Sequence, residues 1–374
     1  MKKLTDIIYF GLLQTITIFT STILIGQLAG LNIPVVLFAT GIGCIVFTAL
    51  TRGKIPIALG TSGSWLATTI TMSAFGLDHV IGVAILGGLW YVLFGLLIKW
   101  KPQILSLFTP LILNLAVMFI AFNLMSTAVG LLVEYPITGA ITFIVIEIFI
   151  NIKKTSKYAF PIGVLIGTIA HSFMYGLTSS MLMSFSPEFV MPAFNVTTFM
   201  ASLIFIALVT EALGDSKLVA DVTDRGFEPH NVIIGNGVVS ILSAFVGCMS
   251  LTTYSESAAV VKATKYTNAW SIVVCGGLFI VMAFVPQVSY VVGFIPQAVF
   301  AGLLLYLFTM VATSKIHDVK FETTTDASIA IMGLGFFFLA PNLLPQVSQI
   351  AAGMIAMIIT YSVWIIKDKI KSRP

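Results

Sequence analysis

Three carboxylates stand in stretches of the chain that are otherwise almost free of charge: Glu211 and Asp215, four residues apart, and Glu256. Four residues is about one helical turn, so Glu211 and Asp215 share a helix face. Glu256 sits in Ser250-Leu-Thr-Thr-Tyr-Ser-Glu-Ser257, a polar patch between the apolar runs 238–249 and 270–285. Carboxylates accept hydrogen bonds from N–H groups, and a carboxyl group held away from water can exchange a proton when its surroundings change. An ionisable side chain inside a membrane span is a functional hypothesis by default, because it is costly to keep there. Capping a helix end, or pairing with Lys217, is the structural alternative for any one acid. Two acids beside small polar residues weaken that alternative. Glu147, alone and near Lys153, reads as structural.

The segments that must position these groups are lipid-soluble. Hydrophobic residues make up 58% of the chain and charged ones 9%, against about 25% charged in a soluble domain. Such a chain cannot cover a water-facing surface, so it reads as an all-α polytopic membrane protein. Fourteen runs of spanning character lie near 8–29, 33–51, 56–73, 80–99, 108–129, 136–152, 158–176, 197–218, 231–248, 249–264, 270–285, 291–313, 326–340 and 346–366. The start Met1-Lys2-Lys3 has the look of a signal peptide. The apolar run after it continues past Leu24 and holds Gln14 and several threonines, so it reads as a span. Threaded with Met1 inside, all 19 Lys and Arg fall in loops on that one side, and the other side holds Asp78, His79, Glu134 and Glu188. Retention of positive charge on the cytoplasmic side predicts an even span count with both termini cytoplasmic, in the cell membrane. The net charge of +4 therefore belongs to topology, and no nucleic-acid partner is expected. The three cysteines lie in apolar runs and read as buried residues, and the four scattered histidines offer no metal-ligand spacing.

Two runs are interrupted. The third contains Gly60-Thr-Ser-Gly-Ser-Trp65, and the tenth is the patch around Glu256. They are seven runs apart, as two inverted seven-span repeats would place them, and paired interruptions point to a midplane site. The stretch 177–193, with Pro187 and Pro192, reads as the connector between halves. A half-helix starting near Gly63 or Ser255 aims unpaired N–H groups at a cavity, where they suit carbonyl oxygens. Carboxylates suit N–H groups. A small flat ligand with alternating N–H and C=O groups meets both, and Trp65 or Tyr254 can stack on it. A nucleobase fits this description; a small amide or organic anion satisfies the same physics. The substrate-facing candidates are Glu211, Glu256, Ser255, Ser257, Tyr254, Gly63, Ser62 and Trp65.

The runs Phe38–Phe47, Arg52–Pro56 and Leu59–Ser62 resemble the second and third spans of the nucleobase–ascorbate transporters, also called the nucleobase:cation symporter-2 family. Phe108-Thr-Pro110 resembles the start of their fifth span, Thr210-Glu-Ala-Leu-Gly-Asp215 their eighth-span segment, and Thr252-Thr-Tyr-Ser-Glu-Ser257 through Lys265 their tenth-span signature. The resemblance implies fourteen spans in two inverted repeats. It implies core parts at 1–101 and 197–290 and gate parts at 102–196 and 291–374. It implies a secondary transporter, not an enzyme, that takes up a nucleobase (a purine such as xanthine or hypoxanthine, or uracil) with protons. It implies no cofactor beyond the coupling proton and, in many members, a homodimer. By position, Glu211 and Glu256 would bind the base. Asp215 would stand where uracil permeases have histidine and xanthine and ascorbate members have aspartate. The first-span Gln-His pair is Gln14-Thr15 here, which puts Thr15 beside Glu211 and Asp215 among the coupling candidates. Ser257 and Ala259 replace the usual tenth-span Asn and Gly, and Gly63 stands near where uracil permeases are expected to have an aromatic. An anion exchanger of the sulfate/bicarbonate type shares this fold and is the alternative. Its members carry a cytoplasmic domain after the last span, where this chain has a short basic tail, and two acids in the site oppose an anion. A non-transporting membrane protein is the third reading.

Overall fold

The structure is a computed structural model that describes residues 2–61, 63–152, 155, 159–178, 182–223, 226, 228–316, 318–343 and 347–371. In chain order the elements are α1 (Lys2–Leu28), α2 (Ile33–Leu50), β1 (Leu59–Thr61), α3 (Gly63–Ser73), α4 (Leu77–Trp100), a 3-10 segment (Pro102–Leu107), α5 (Pro110–Leu131), α6 (Pro136–Ile150) and α7 (Ala159–Tyr175). They continue with α8 (Val196–Ser202), α9 (Phe205–Thr223), α10 (Pro229–Phe245), β2 (Leu251–Thr253), α11 (Ser255–Thr264), α12 (Trp270–Ala283), α13 (Pro286–Gly293), α14 (Gln297–Ile316), α15 (Thr324–Leu343) and α16 (Gln349–Lys371). The starts follow local chemistry. The Asn32 side chain accepts from the Val35 N–H at 3.2 Å ahead of Pro34, and the Thr109 hydroxyl accepts from the Ile112 N–H at 3.3 Å ahead of Pro110. Each satisfies a first-turn donor that has no partner inside its helix.

Helices α1, α2, α4, α10 and α12 pack on one another, and so do α5, α6, α7, α14, α15 and α16. Contacts of α3 with α5, and of α9 with α5 and α16, join the two sets. The α2–α12 crossing is set by two glycines back to back. A Cβ on Gly41 would lie 2.5 Å from the Gly276 carbonyl oxygen, and one on Gly276 would lie 2.6 Å from that of Gly41. Any side chain at either position forces the helices apart.

Six described helices are long and apolar enough to cross a membrane, seven if the bent pair α12–α13 is one span. Three more apolar helices, Pro136–Ile150, Ala159–Tyr175 and Gln297–Thr313, are shorter. The chain is therefore mostly helical with several apolar spans. The run at 197–218 divides into α8 and α9. The Ser202 hydroxyl donates to the Phe199 carbonyl at 2.7 Å, and the Leu203 N–H turns to the Met200 carbonyl at 3.3 Å, so the regular ladder stops there. The run at 291–313 also differs. Pro286 starts α13, which bends 81° from α12, and α14 begins only after Pro296. A proline lacks the N–H that would continue the preceding helix.

Candidate functional site

The runs at 56–73 and 249–264 take the same form: a three-residue strand followed by a short helix, 11 residues in α3 and 10 in α11. The strands pair antiparallel in the register Leu59↔Thr253, Gly60↔Thr252, Thr61↔Leu251. Extended backbone within an apolar bundle leaves peptide groups that lipid cannot satisfy. Three polar residues of α10 at i, i+4 and i+7 supply partners along β2. The Asn236 amide oxygen accepts from the Thr253 N–H at 3.1 Å, the Ser240 hydroxyl donates to the Leu251 carbonyl at 3.0 Å, and the Ser243 hydroxyl donates to the Met249 carbonyl at 2.8 Å. On the β1 side, the Ala58 N–H donates to the Ser257 hydroxyl at 2.8 Å, and the Tyr254 N–H to the Ala58 carbonyl at 3.2 Å. The Tyr254 hydroxyl donates to the Thr61 carbonyl. Its ring lies over Gly60, where a Cβ would come within 2.2 Å of the ring edge. Glycine at 60 is thus required by the tyrosine.

This pairing sets α11 beside α9. The Ser255 hydroxyl donates to Oδ1 of Asp215 at 2.7 Å, while Asp215 Oδ2 is buried with no hydrogen-bond partner among the described residues. Glu211 lies one turn earlier on α9, half-buried, and within electrostatic reach of Asp215 and of the buried Tyr91 on α4. Glu256, in the first turn of α11, is exposed to solvent. No side chain caps the start of α11, so its first amides are available to a ligand oxygen. The arrangement offers carboxylate acceptors and helix-end donors a few residues apart. It also offers a buried carboxyl with one oxygen that has no hydrogen-bond partner among the described residues.

The structure brings Glu211, Asp215, Ser255 and Glu256 together at the α9–α11 contact. It gives Tyr254 and Ser257 to the brace between the arms: both are buried, and their polar atoms are engaged with β1 and the Ala58 N–H. Trp65 is buried on α3, edge-on to Phe205 with ring centroids 4.3 Å apart. Gly63 starts α3 facing Phe308, Ile25 and Leu124, and Ser62 lies outside the described residues. The Thr15 hydroxyl donates to its own helix, to the Gly11 carbonyl at 2.9 Å. Its neighbour Gln14 is the one that reaches across, its amide donating to the Ser257 carbonyl at 3.4 Å, with its buried oxygen unpartnered among the described residues. Gln14, Tyr91 and Asn236 were not among the sequence candidates. Asn236, between Gly235 and Gly237 in an apolar run, carried a readable signal: an amide inside a span needs a reason.

By structure the chain is similar to the transmembrane domain of a cyanobacterium bicarbonate transporter, BicA, with TM-score 0.62 and 15% identity over 96% of this chain and 97% of that one. It is also similar to the murine anion transporter Slc26a9 in the inward-facing state, with TM-score 0.71 and 12% identity over 97% of this chain and 68% of that one. At such identities the likeness is one of fold. By sequence it is 27% identical to a uracil permease of Bacillus subtilis (strain 168), over 91% of this chain and 86% of that protein. It is 25% identical to a uracil permease of Escherichia coli (strain K12), over 84% and 81%. Its relatives are permeases, not enzymes. The Xan_ur_permease family model, described as the permease family, matches residues 5–340, and the chain belongs to that family.

Proposed function

We propose that this protein is a secondary active transporter that carries a nucleobase across the cell membrane together with protons. The observation that carries the reading is the acid cluster at the α9–α11 contact: Glu211, the Asp215–Ser255 pair, and Glu256 on the open first turn of α11. Carboxylates there accept from ring N–H groups, and the first amides of α11 donate to ring carbonyls. Relatives named uracil permeases support a nucleobase as cargo. Asp215 is the proposed coupling group, since its second oxygen is buried without a partner among the described residues and its first is held by a neutral hydroxyl. Glu211 shares that role one turn away. For Thr15, held on its own helix, only its position beside Gln14 supports a part in coupling.

The proposed architecture is fourteen spans in two inverted repeats, with the third and tenth spans broken at β1–α3 and β2–α11. A helix of 10 or 11 residues rises only about 15 Å, half of a bilayer core of about 30 Å. Its strand supplies about 10 Å more. The mutual packing of α1, α2, α4, α10 and α12 supports a core, and that of α5–α7 with α14–α16 a gate. Both termini are proposed to be cytoplasmic, on the distribution of Lys and Arg, and a homodimer is proposed by analogy with the family.

Anion exchange is the second reading, favoured by the fold likeness to a bicarbonate transporter and an anion transporter. Three carboxylates at one contact repel an anion, and that argues for a base. Uptake into proteoliposomes of radiolabelled uracil, xanthine, hypoxanthine, guanine, adenine and urate, with and without a pH gradient, decides. Accumulation of one or more bases that grows with an inward proton gradient is expected. Bicarbonate or sulfate exchange with no base uptake would establish the alternative.

A further inference from the structure

Residues 182–196, which lead from the connector into α8, are tied down along their length. The Met183 N–H donates to the Ser289 hydroxyl of α13 at 3.1 Å, and the Asn32 amide, just before α2, donates to the Ser184 carbonyl at 3.4 Å. The Phe185 ring packs against Phe38 and Phe284, with centroids 4.9 and 5.0 Å away. Two glycines seat the backbone. A Cβ on Gly247 would lie 3.0 Å from the Glu188 carbonyl oxygen, and one on Gly82 would lie 2.2 Å from that of Ala193. The Ala193 N–H donates to the Asp78 carbonyl at 3.0 Å. The segment is a strap across the end of the bundle where α2 and α4 begin and α10 stops. Its polar and apolar residues are sorted. Glu188, its one charged residue, and Ser186 line a cavity of about 240 Å³ between strap and bundle, with Asn32 and Ser73. Leu182, Phe189, Val190, Met191, Phe194 and Val196 are exposed, Phe189 by 79%, Met191 by 85% and Phe194 by 60%. Apolar residues exposed singly are ordinary, but a run of them forms a patch that marks an interaction surface.

We infer that the strap is a membrane-interface anchor: Phe189, Met191 and Phe194 dip into the margin of the lipid hydrocarbon, and lipid is the partner of this face. The patch is continuous with the apolar ends of the helices. Phe245, at the end of α10 two residues before the Gly247 seat, is exposed, and so is Phe284, which packs on Phe185. The seats therefore hold the strap at the level where the helices leave the hydrocarbon. The backbone fixes how deep it goes. Among the described residues, the peptide groups of Phe189, Val190 and Met191 make no backbone hydrogen bond, and lipid tails cannot satisfy them. They stay among headgroups and water while the side chains leave the water, as in interfacial segments generally. Glu188, lining the cavity, keeps its charge out of the lipid. The strap carries no lysine or arginine, so apolar burial holds it and anionic headgroups are not required. The inference rests on the membrane character of the chain and holds whatever the cargo.

The test uses the full-length protein in phosphatidylcholine nanodiscs. Phe189→Cys, Met191→Cys and Phe194→Cys are made one at a time, with the buried Cys44, Cys248 and Cys275 changed to alanine, and are spin-labelled. Collisions of each label with oxygen, which concentrates in hydrocarbon, are compared with collisions with a water-soluble nickel chelate. Ile331→Cys, exposed on the apolar α15, is the lipid reference, and Lys101→Cys, exposed between α4 and the 3-10 segment, the water reference. The three strap labels are expected to lose most of the nickel collisions seen at Lys101→Cys and to keep oxygen collisions near those of Ile331→Cys. Nickel collisions as frequent as at Lys101→Cys would place the strap in water. Protection from both reagents would place it against protein, whether a second copy or another chain. Either result overturns the inference and leaves the nucleobase reading untouched. A second measurement keeps the native cysteines. Benzoylphenylalanine in place of Met191, photolysed in the same nanodiscs, should gain the mass of one lipid. Cross-linking to protein, or no added lipid mass, overturns the inference as well.

Discussion

The two strand–helix arms share a backbone plan and differ in chemistry. In the first arm, α3 carries no charge, and Trp65, Leu66, Thr68 and Thr69 are buried against their neighbours. In the second, α11 begins with Ser255 and Glu256, both reached by solvent, and Ser255 holds Asp215 of α9. The first arm also gives up its strand surface: Gly60 lies flat beneath the Tyr254 ring, and the Thr61 carbonyl accepts the Tyr254 hydroxyl. One arm therefore serves as the bed on which the other is fixed. Repeating a broken element does not repeat its function. The pair makes a rigid extended segment possible in an apolar bundle, and one member is then free to carry the acid.

The contrast breaks first at Glu256. If its carboxylate accepts from ring N–H groups, a charge-assisted bond there contributes roughly 1.5–3 kcal/mol. Glu256→Gln is expected to weaken base binding by at least about tenfold, and Glu256→Ala by more, measured by calorimetry on the purified protein. Glu147→Gln is the control. Glu147 accepts from the Tyr306 hydroxyl at 2.7 Å and from the Asn151 amide at 3.0 Å, so both oxygens are engaged away from the arms. Unchanged affinity in Glu256→Ala would return α11 to the status of α3.

Next in size is the bed itself. Gly60→Ala puts a methyl group where the Tyr254 ring lies, and overpacking of this kind costs about 1–3 kcal/mol. Thermal stability should fall with no change in which base binds. A variant as stable as wild type would show that the ring does not rest on the strand. Asp215→Asn asks a different question of the second arm. The amide keeps an acceptor for Ser255 but cannot take up and release a proton. Gradient-driven accumulation should fall toward simple equilibration while binding changes by less than about tenfold. Equal loss of both would make Asp215 part of the ligand site alone.

Much of this was legible in the residues. Composition marks the membrane, the acids stand out against it, and the two interruptions announce themselves by glycine, serine and threonine. The division of labour inside the patch at 250–257 was less legible, because Ser255 and Ser257 are the same residue type two positions apart. Once the helix is known to start at Ser255, about 200° of rotation separates them: one faces the acids and the other the brace. Tyr254 was read as a stacking residue because its type allows it. Gly60, whose missing Cβ makes room for the ring, decides otherwise, and that contact joins residues 194 positions apart in the chain, about half its length.

The smallest expected effect lies where the chain enters the arms. Lys54, shortly before β1, pairs with Glu228 at the start of α10, whose polar residues hold β2. Glu228 also accepts from the Asn231 amide. The Lys54 ammonium beside it holds the Glu228 carboxyl below its ordinary range, chiefly through their hydrogen bond. A lowered carboxylate pKa means that the folded state favours the ionised form. The stabilisation is then complete above the ordinary glutamate value, about 4.3, and is lost as pH falls through the lower folded value. Partly exposed ion pairs are weak and screened by salt. Glu228→Gln should therefore melt slightly below wild type near pH ~7, and the difference should shrink at higher ionic strength. It should shrink as pH falls through the lowered folded value, below which both proteins are neutral at this position. Melting curves of the two proteins across this pH range, at low and high salt, are the measurement. A difference that persists unchanged at acid pH would mean that Glu228 acts through packing at the α10 start, and that Lys54 is no tie between the two arms.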